Sequence, residues 1–455
     1  MHSDFLSADR DSLYLLPPSV QDWLPVNHLA RFIVDIVAQL DLTPLRDAYA
    51  GRGCKAYDPE MLLGLLFYGY ATGTFSSRKL ELATYESIAF RYIAGNTHPD
   101  HDTIANFRKR FLVELKPLFM QILSLAHAMN ILKIGKISID GTKIKANASK
   151  HQALSWGHAC KLEKELKAEV DSLLRQAELA DQSTIPDGMS IPEELERRET
   201  RLEAIAKAKR EIEHRAEERY AKEKAEYEKK LADRERKSQE TGKQPRGKTP
   251  QAPEPGVKDK DQVNLTDEES RIMPVSGGGF MQAYNAQASV DIDTLLIVGV
   301  HVSQHANDKE EIKPALAELS RLPAKLGKVL KATADAGYFS DINVRLCEKA
   351  DIIPYIAAGR ESHNQTLADR FSEPEPIAED ADAVTKMKHR LKTKQGKAFY
   401  AQRKCTVEPV FGIIKSVLGF RQFLLRGIEN VKGEWDLVSI AWNLKRLQVL
   451  SRTMV

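Results

Sequence analysis

Hydrophobic positions change period along this chain, and the changes divide it into regions. Between residue 27 and about residue 130 the apolar residues recur at helical spacing. NHLARFIVDIVAQLDL is amphipathic, with Asn27 placed to cap it. Asp58-Pro59 opens a second helix, PEMLLGLLFYGYATG, which is apolar nearly all round and is therefore expected inside. SRKLELATYESIAFRYIAG reads as a third, closing at Gly95. After the loop NTHPDHD comes a long fourth helix, TIANFRKRFLVELKPLFMQILSLAHAMNIL, with Asp102 as its cap.

At residue 136 the period drops to two. KISIDGTKIKANASK alternates β-branched and polar residues, the pattern of a strand. Asp140 lies in its middle, followed by Gly141. Asp-Gly commonly joins two strands of a hairpin. The other reading is a single strand whose buried carboxylate is paired or binds a metal. Alternation returns after residue 277. FMQAYNAQASVDI and TLLIVGVHVSQ read as adjacent strands, Asn307-Asp308 as the start of a helix, and KVLKATAD as a strand ending at Asp335. SDINVRLCEKA is a helix and DIIPYIAA a short strand. Val407, Val410, Phe411, Ile414 and Leu418 then give a helix carrying Glu408, and Lys415 lies two turns beyond that glutamate on the same face. In the last helix, Trp435, Leu437, Val438 and Leu444 are expected to point inward.

Residues 151 to 270 fit neither pattern. KLEKELKAEVDSLLRQAELA and the highly charged stretch from Pro192 to Lys237 share only a thin apolar seam, as in an antiparallel helical hairpin. A Pro/Gly/Lys stretch, 238 to 262, follows and is expected to be mobile. Such an insert serves as a solvated hairpin, a dimer contact or a DNA arm.

Composition narrows the class without choosing a function. With 455 residues, two or three domains are expected, and 42% hydrophobic with 29% charged residues suits an ordinary globular core. The 67 basic residues nearly cancel the 64 acidic ones, leaving a net charge of +3, so any DNA surface must come from local segregation of charge. Four cysteines lie far apart, without zinc-ligand spacing, and favour a reduced, cytoplasmic setting. Neither a signal-peptide pattern nor a membrane-spanning apolar run is expected.

Two strand-borne aspartates and a helix-borne glutamate are the ligands that two divalent cations need when phosphodiester oxygens complete their shells. Arg108, Lys109 and Arg110 are read near the start of the fourth helix, after a short loop. That is a possible helix-turn-helix reader, or else part of a bundle that only supports the core.

The ordered set carries a resemblance. IDGTKIKANASKH around Asp140, ADAGYFSD around Asp335 and RKCTVEPVFGIIK around Glu408 resemble the catalytic blocks of bacterial insertion-sequence transposases of the DDE type. YNAQASVD and the ending RGIENVKGEWDLVSIAWNLKRL resemble them too. The Y-R-E-K branch of that family spaces Tyr, Arg, Glu and Lys with two, three and six intervening residues. Tyr400, Arg403, Glu408 and Lys415 fit, except that four residues separate Arg403 from Glu408; Lys404 restores that spacing but not the one to the tyrosine.

The resemblance implies an α/β ribonuclease-H-like core, a mixed sheet flanked by helices, built from residues 131–150 and 271–455. It also implies an all-helical, DNA-binding N-terminal domain, 1–130, and a helical-hairpin insertion, 151–270. Asp140, Asp335 and Glu408 would be catalytic and would bind two Mg²⁺ or Mn²⁺ ions. Lys415, Tyr400, and Arg403 or Lys404 would hold DNA, with Arg108, Lys109 and Arg110 as further contacts. The implied partner is double-stranded DNA, at terminal inverted repeats and at the target, bound by a homodimer or higher oligomer at the nucleoid, with no membrane. The implied reaction cuts the ends and joins the 3′ hydroxyl to target DNA. A non-mobile nuclease of the same fold, or a domesticated DNA-binding protein, are the alternatives.

Overall fold

The structure is a computed structural model and describes residues 19–49, 56–149, 152–180, 191–241, 247–275, 277–359, 372–378 and 380–453. His363, in the polar segment before the Glu408 helix, lies outside them. Its strands are β1 Ile134–Lys145, β2 Ala153–Ser155, β3 Gln262–Asn264, β4 Arg271–Pro274, β5 Phe280–Asp291, β6 Ile297–Ser303, β7 Gly327–Ala334 and β8 Ile353–Ile356. β1 runs unbroken through Asp140-Gly141, so the hairpin reading of that dipeptide falls.

Among the described residues the chain forms two compact units. The first comprises 1–144, 285–424 and 429–455; the second comprises 145–284 and 425–428. In the first, the sheet is mixed. β1 and β7 pair in parallel, as do β7 and β8. β5 lies on the other side of β1 and pairs with β6 in antiparallel fashion. β5 runs against β1: Ile292 donates to the Lys136 carbonyl, and Gln282 accepts from Ala146 N–H. β1, buried at Ile137, Ser138 and Ile139, occupies the middle of this sheet.

The N-terminal helices are α1 Val20–Trp23, α2 Leu29–Val37, α3 Thr43–Asp47, α4 Pro59–Thr72, α5 Ser77–Glu86, α6 Ile88–Ile93, α7 His101–Arg110 and α8 Leu115–Ala128. His28, not Asn27, caps α2 by accepting from Ala30 N–H. α4 begins at the Asp58 cap, ends at a left-handed Gly73, and is buried nearly all round, as its sequence implies. Two expected helices break. The third splits at Ser87, and the fourth starts after the Asp100 cap and bends by 83° between α7 and α8. The bend lets the adjacent Phe111 and Leu112 both reach the core while Val113 is left exposed. A straight helix would place those neighbours about 100° apart around its axis. Among the described residues no single helix is long and apolar enough to cross a membrane.

Helices α11 Ile312–Ser320, α12 Asp341–Lys349, α13 Ala383–Lys392, α14 Lys394–Ala401, α15 Val407–Gly412 and α16 Ile428–Thr453 follow. Trp435, Leu437, Val438 and Leu444 of α16 are all buried. The Trp435 indole donates to the Gln287 carbonyl at 3.0 Å, and Asn443 brackets Ile297 with two hydrogen bonds of 2.8 Å. α16 is thereby stitched to β5 and β6.

In the second unit, α9 Trp156–Ala180 and α10 Ile191–Thr241 form the hairpin. Its apolar base gathers Leu154, Leu166, Ile205, Ala208, Ile212 and Val263. Ion pairs Glu163–Lys209 and Glu169–Arg198, at 2.8 and 2.7 Å, run up its sides. The expected mobile exit is instead pinned where it reaches this base. Arg219 holds the Gly256 carbonyl at 3.1 Å and Asp261 at 2.7 Å, and β3 pairs with β2. The described exit residues thus acquire partners that a composition argument does not see.

Candidate active site

Register puts the two aspartates side by side. Ser138 on β1 lies opposite Thr333 on β7; Asp140 is two residues further along β1, and Asp335 follows the last residue of β7. Parallel neighbours lie roughly 4.8 Å apart, so two aspartates 195 positions apart in sequence come near one another where β7 ends. β7 stops at Ala334, and Asp335 caps a short turn, Ala336–Tyr338, accepting from Gly337 N–H at 2.8 Å.

Glu408 arrives on α15, which buries Val407, Val410 and Phe411. Just before it, a turn of 3₁₀ helix over Gln402–Cys405 carries Arg403. Its guanidinium lies 2.9 Å from Asp140 Oδ2 and 2.8 Å from Glu408 Oε1. The other Asp140 oxygen accepts from Gly141 N–H at 2.8 Å. Burial pushes the Asp140 carboxyl up to about 6; Arg403 opposes this, while Asp335 and Asp308 reinforce it. Burial also raises the Tyr400 phenol on α14, against the pull of Arg403. Of the two spacing alternatives, Arg403 is the one that pairs with the acids, and Lys404 is exposed.

Lys415 also reaches this region, but not as two regular helical turns predict. The helix widens to a π turn over Ile413–Val417, and Lys415 Nζ donates to Thr142 Oγ1 at 2.9 Å. Thr142 is two residues past Asp140 on β1, on the same face. Burial lowers the Lys415 ammonium, as does the nearby Arg421.

Sequence reasoning missed a buried polar layer beneath the acids. Asp308 starts no helix, since α11 begins at Ile312. Its Oδ1 accepts from Asn285 at 2.7 Å and Gln287 at 2.8 Å, with Lys143 at 3.5 Å. Gln287 also accepts from the Tyr338 hydroxyl. A signal for this layer was present: Asn285, Gln287 and Ser289 recur with period two on a strand buried along nearly its whole length. Polar residues on one face of a buried strand need partners.

This layer explains Gly141. A Cβ there would lie 2.0 Å from Gln287 Nε2 and 2.9 Å from Asn285 Oδ1, and Gln287 is fully buried and hydrogen-bonded. Gly141→Ala is expected to cost about 1–3 kcal/mol by overpacking. A chemical-denaturation midpoint equal to that of the wild type would contradict this packing.

The N-terminal basic triplet does not join the site. Arg108, Lys109 and Arg110 occupy the last turn of α7, not the start of a long helix. Arg108 is 8% exposed and donates to the Tyr70 hydroxyl and the Phe75 carbonyl, both at 3.0 Å. Arg108 thus faces Tyr70 and Phe75 in the interior rather than solvent. Arg110 lies over the Tyr49 ring and donates to the Ala48 carbonyl. Lys109 remains exposed.

Two stretches match known transposase families. Residues 18–110 match the Transposase domain (DUF772), and residues 374–448 match the Transposase DDE domain. The second match contains Tyr400, Arg403, Glu408 and Lys415. Together they support an insertion-sequence transposase of the DDE kind, an enzyme acting on DNA. No curated protein and no solved structure matches the chain.

The donor chemistry fits a hard divalent cation, the kind that DDE transposases generally use: every candidate ligand is a carboxylate oxygen. As they stand, no three His, Cys, Asp or Glu side chains among the described residues are arranged to hold a metal ion. Arg403 lies on the oxygens of both Asp140 and Glu408.

Proposed function

We propose that this protein is a DDE transposase of the Y-R-E-K branch, which cuts DNA at insertion-sequence ends and joins the freed 3′ hydroxyl to target DNA. The observation that carries the reading is the β1–β7 register, which sets Asp140 abreast of Asp335, with Glu408 tied to Asp140 through Arg403. A ribonuclease-H-like core is the fold this reading requires, and the mixed sheet with its central β1 is compatible with it.

Asp140, Asp335 and Glu408 are the residues that would hold Mg²⁺ or Mn²⁺, two ions per site. Bound there, such ions would supply an activated water or 3′ hydroxyl and stabilisation of the leaving oxygen. The chain's own groups do the rest. The Gly141 N–H fixes one oxygen of Asp140 and the Gly337 N–H one oxygen of Asp335. Arg403, with its fork of donors, suits a phosphate that approaches both carboxylates. Tyr400 lies beside Arg403, and Lys415 offers a point charge on the Thr142 side of the strand. Lys109 and Arg110 are the exposed members of the N-terminal triplet; Arg110 is engaged by the Tyr49 ring and the Ala48 carbonyl, and Lys109 would be the one to meet DNA.

The test is an assay of duplexes carrying the element's own terminal repeats, with supercoiled target DNA and Mg²⁺. Cleavage followed by joining supports the reading. Nicking without joining would identify a nuclease instead, and binding without cleavage would leave only a DNA-binding protein.

A further inference from the structure

Arg403 occupies an unusual place for a residue expected to hold DNA. Its two terminal nitrogens pair with carboxylates from two different elements, one of them 263 positions away in sequence. Its side chain is only 15% exposed. Asp140 has one oxygen on the Gly141 N–H and the other on Arg403, so both are engaged. A guanidinium does not lose its proton at accessible pH. Leaving these carboxylates costs it two charge-assisted hydrogen bonds, which another anion can replace. Of the anions that a DNA-cutting enzyme meets, a phosphodiester matches the planar fork best.

We propose that Arg403 is a gate on the metal site, a built-in cation that holds Asp140 and Glu408 until a DNA phosphate draws it away. The inference rests on the transposase reading, because it takes Asp140 and Glu408 as metal ligands. Divalent ions and Arg403 compete for the same oxygens. Ion binding is therefore weak on free protein and strengthens when duplex DNA is present. Cleavage chemistry is thereby confined to the DNA-bound protein, and the freed guanidinium ends on the phosphate whose charge it neutralises.

The experiment is titration of Mn²⁺ into full-length protein by calorimetry, with and without a short duplex, in wild type, Arg403→Gln and Asp140→Asn. Arg403→Gln should bind Mn²⁺ at least about tenfold more tightly than wild type in the absence of DNA, because a full positive charge leaves the site. The duplex should tighten Mn²⁺ binding in wild type and do so much less in Arg403→Gln. Arg403→Lys, which keeps the charge but loses the fork, should fall between them, and it serves alone if the Gln variant does not fold. Wild-type Mn²⁺ affinity in both Arg403 variants, with Asp140→Asn losing the ion, would overturn the gate and spare the metal site. Unchanged Mn²⁺ binding in Asp140→Asn would overturn both.

Discussion

Asp140→Asn, Asp335→Asn and Glu408→Gln should each lower divalent-ion-dependent cleavage and joining by on the order of 10⁴-fold, while duplex binding survives. Residues that act as one unit lose most of the rate when any member is removed. Asp140 and Asp335 are such a unit here by strand register, and Glu408 is linked to Asp140 by one guanidinium. Each substitution keeps the size of the side chain, so packing around β1 and α15 is preserved. Cleavage of end DNA on a denaturing gel, beside a mobility shift for binding, reads both halves of the expectation. Any one variant retaining activity within tenfold of wild type would sink the shared site.

Asp140 carries a second expectation, measurable without DNA. Its carboxyl is raised from 3.8 to about 6 in the folded protein, chiefly by burial. A raised acid keeps its proton in the fold at a pH where the unfolded chain has released it. Its contribution to stability is thus neutral below pH 4, falls as pH rises from about 4 to 6, and is fully unfavourable above that. A gap of about two pH units corresponds to roughly 3 kcal/mol. In EDTA, Asp140→Asn should melt higher than wild type at pH 8 and alongside it at pH 4. Lower melting of the variant at pH 8 would mean that the Arg403 pair outweighs desolvation.

Arg108→Ala should cost about 3–5 kcal/mol of stability, the range for removing one partner of a buried charge network. The network runs from Arg108 on α7 through the Tyr70 hydroxyl on α4 to Glu434 on α16. Glu434 is fully buried, and its second oxygen accepts from Leu424 N–H at 2.9 Å. Burial and Glu434 together push the Tyr70 phenol well above its ordinary value, so it remains a neutral relay between the two charges. Without Arg108 the Tyr70 hydroxyl loses its charged donor in the interior of the protein. Urea unfolding of the variant measures this. Lys109→Ala, on the same turn but exposed, should change stability by no more than about 0.5 kcal/mol. If Lys109 meets a phosphate, that variant should also lower the salt slope of DNA binding by roughly one. An Arg108→Ala protein of near wild-type stability with a reduced salt slope would return Arg108 to the DNA surface.

Local pattern determined what each segment is. Alternation marked β1, β5, β6 and β7, the Asp58-Pro59 start and Gly73 stop bounded α4, and the thin seam marked the hairpin. These features depend on neighbours within a few residues, and a single sequence contains them. The three acids stood out for the same reason: each interrupts or ends an apolar pattern. Where charge and caps are interchangeable, local pattern misled. Arg108, Lys109 and Arg110 look alike in sequence, and only the approach of α4 and α16 decided that the first is buried. The tertiary structure alone decided which carboxylates meet. Strand register between β1 and β7 depends on pairing across 195 positions, and nothing near either aspartate encodes it. It also brought Asp308 beneath them, although its sequence reads as a helix start, because Asn285 and Gln287 on β5 offer it donors. Arg403 likewise resembles any basic residue before a helix. It became the cation between Asp140 and Glu408 only when folding buried Asp140 and brought Glu408 alongside it.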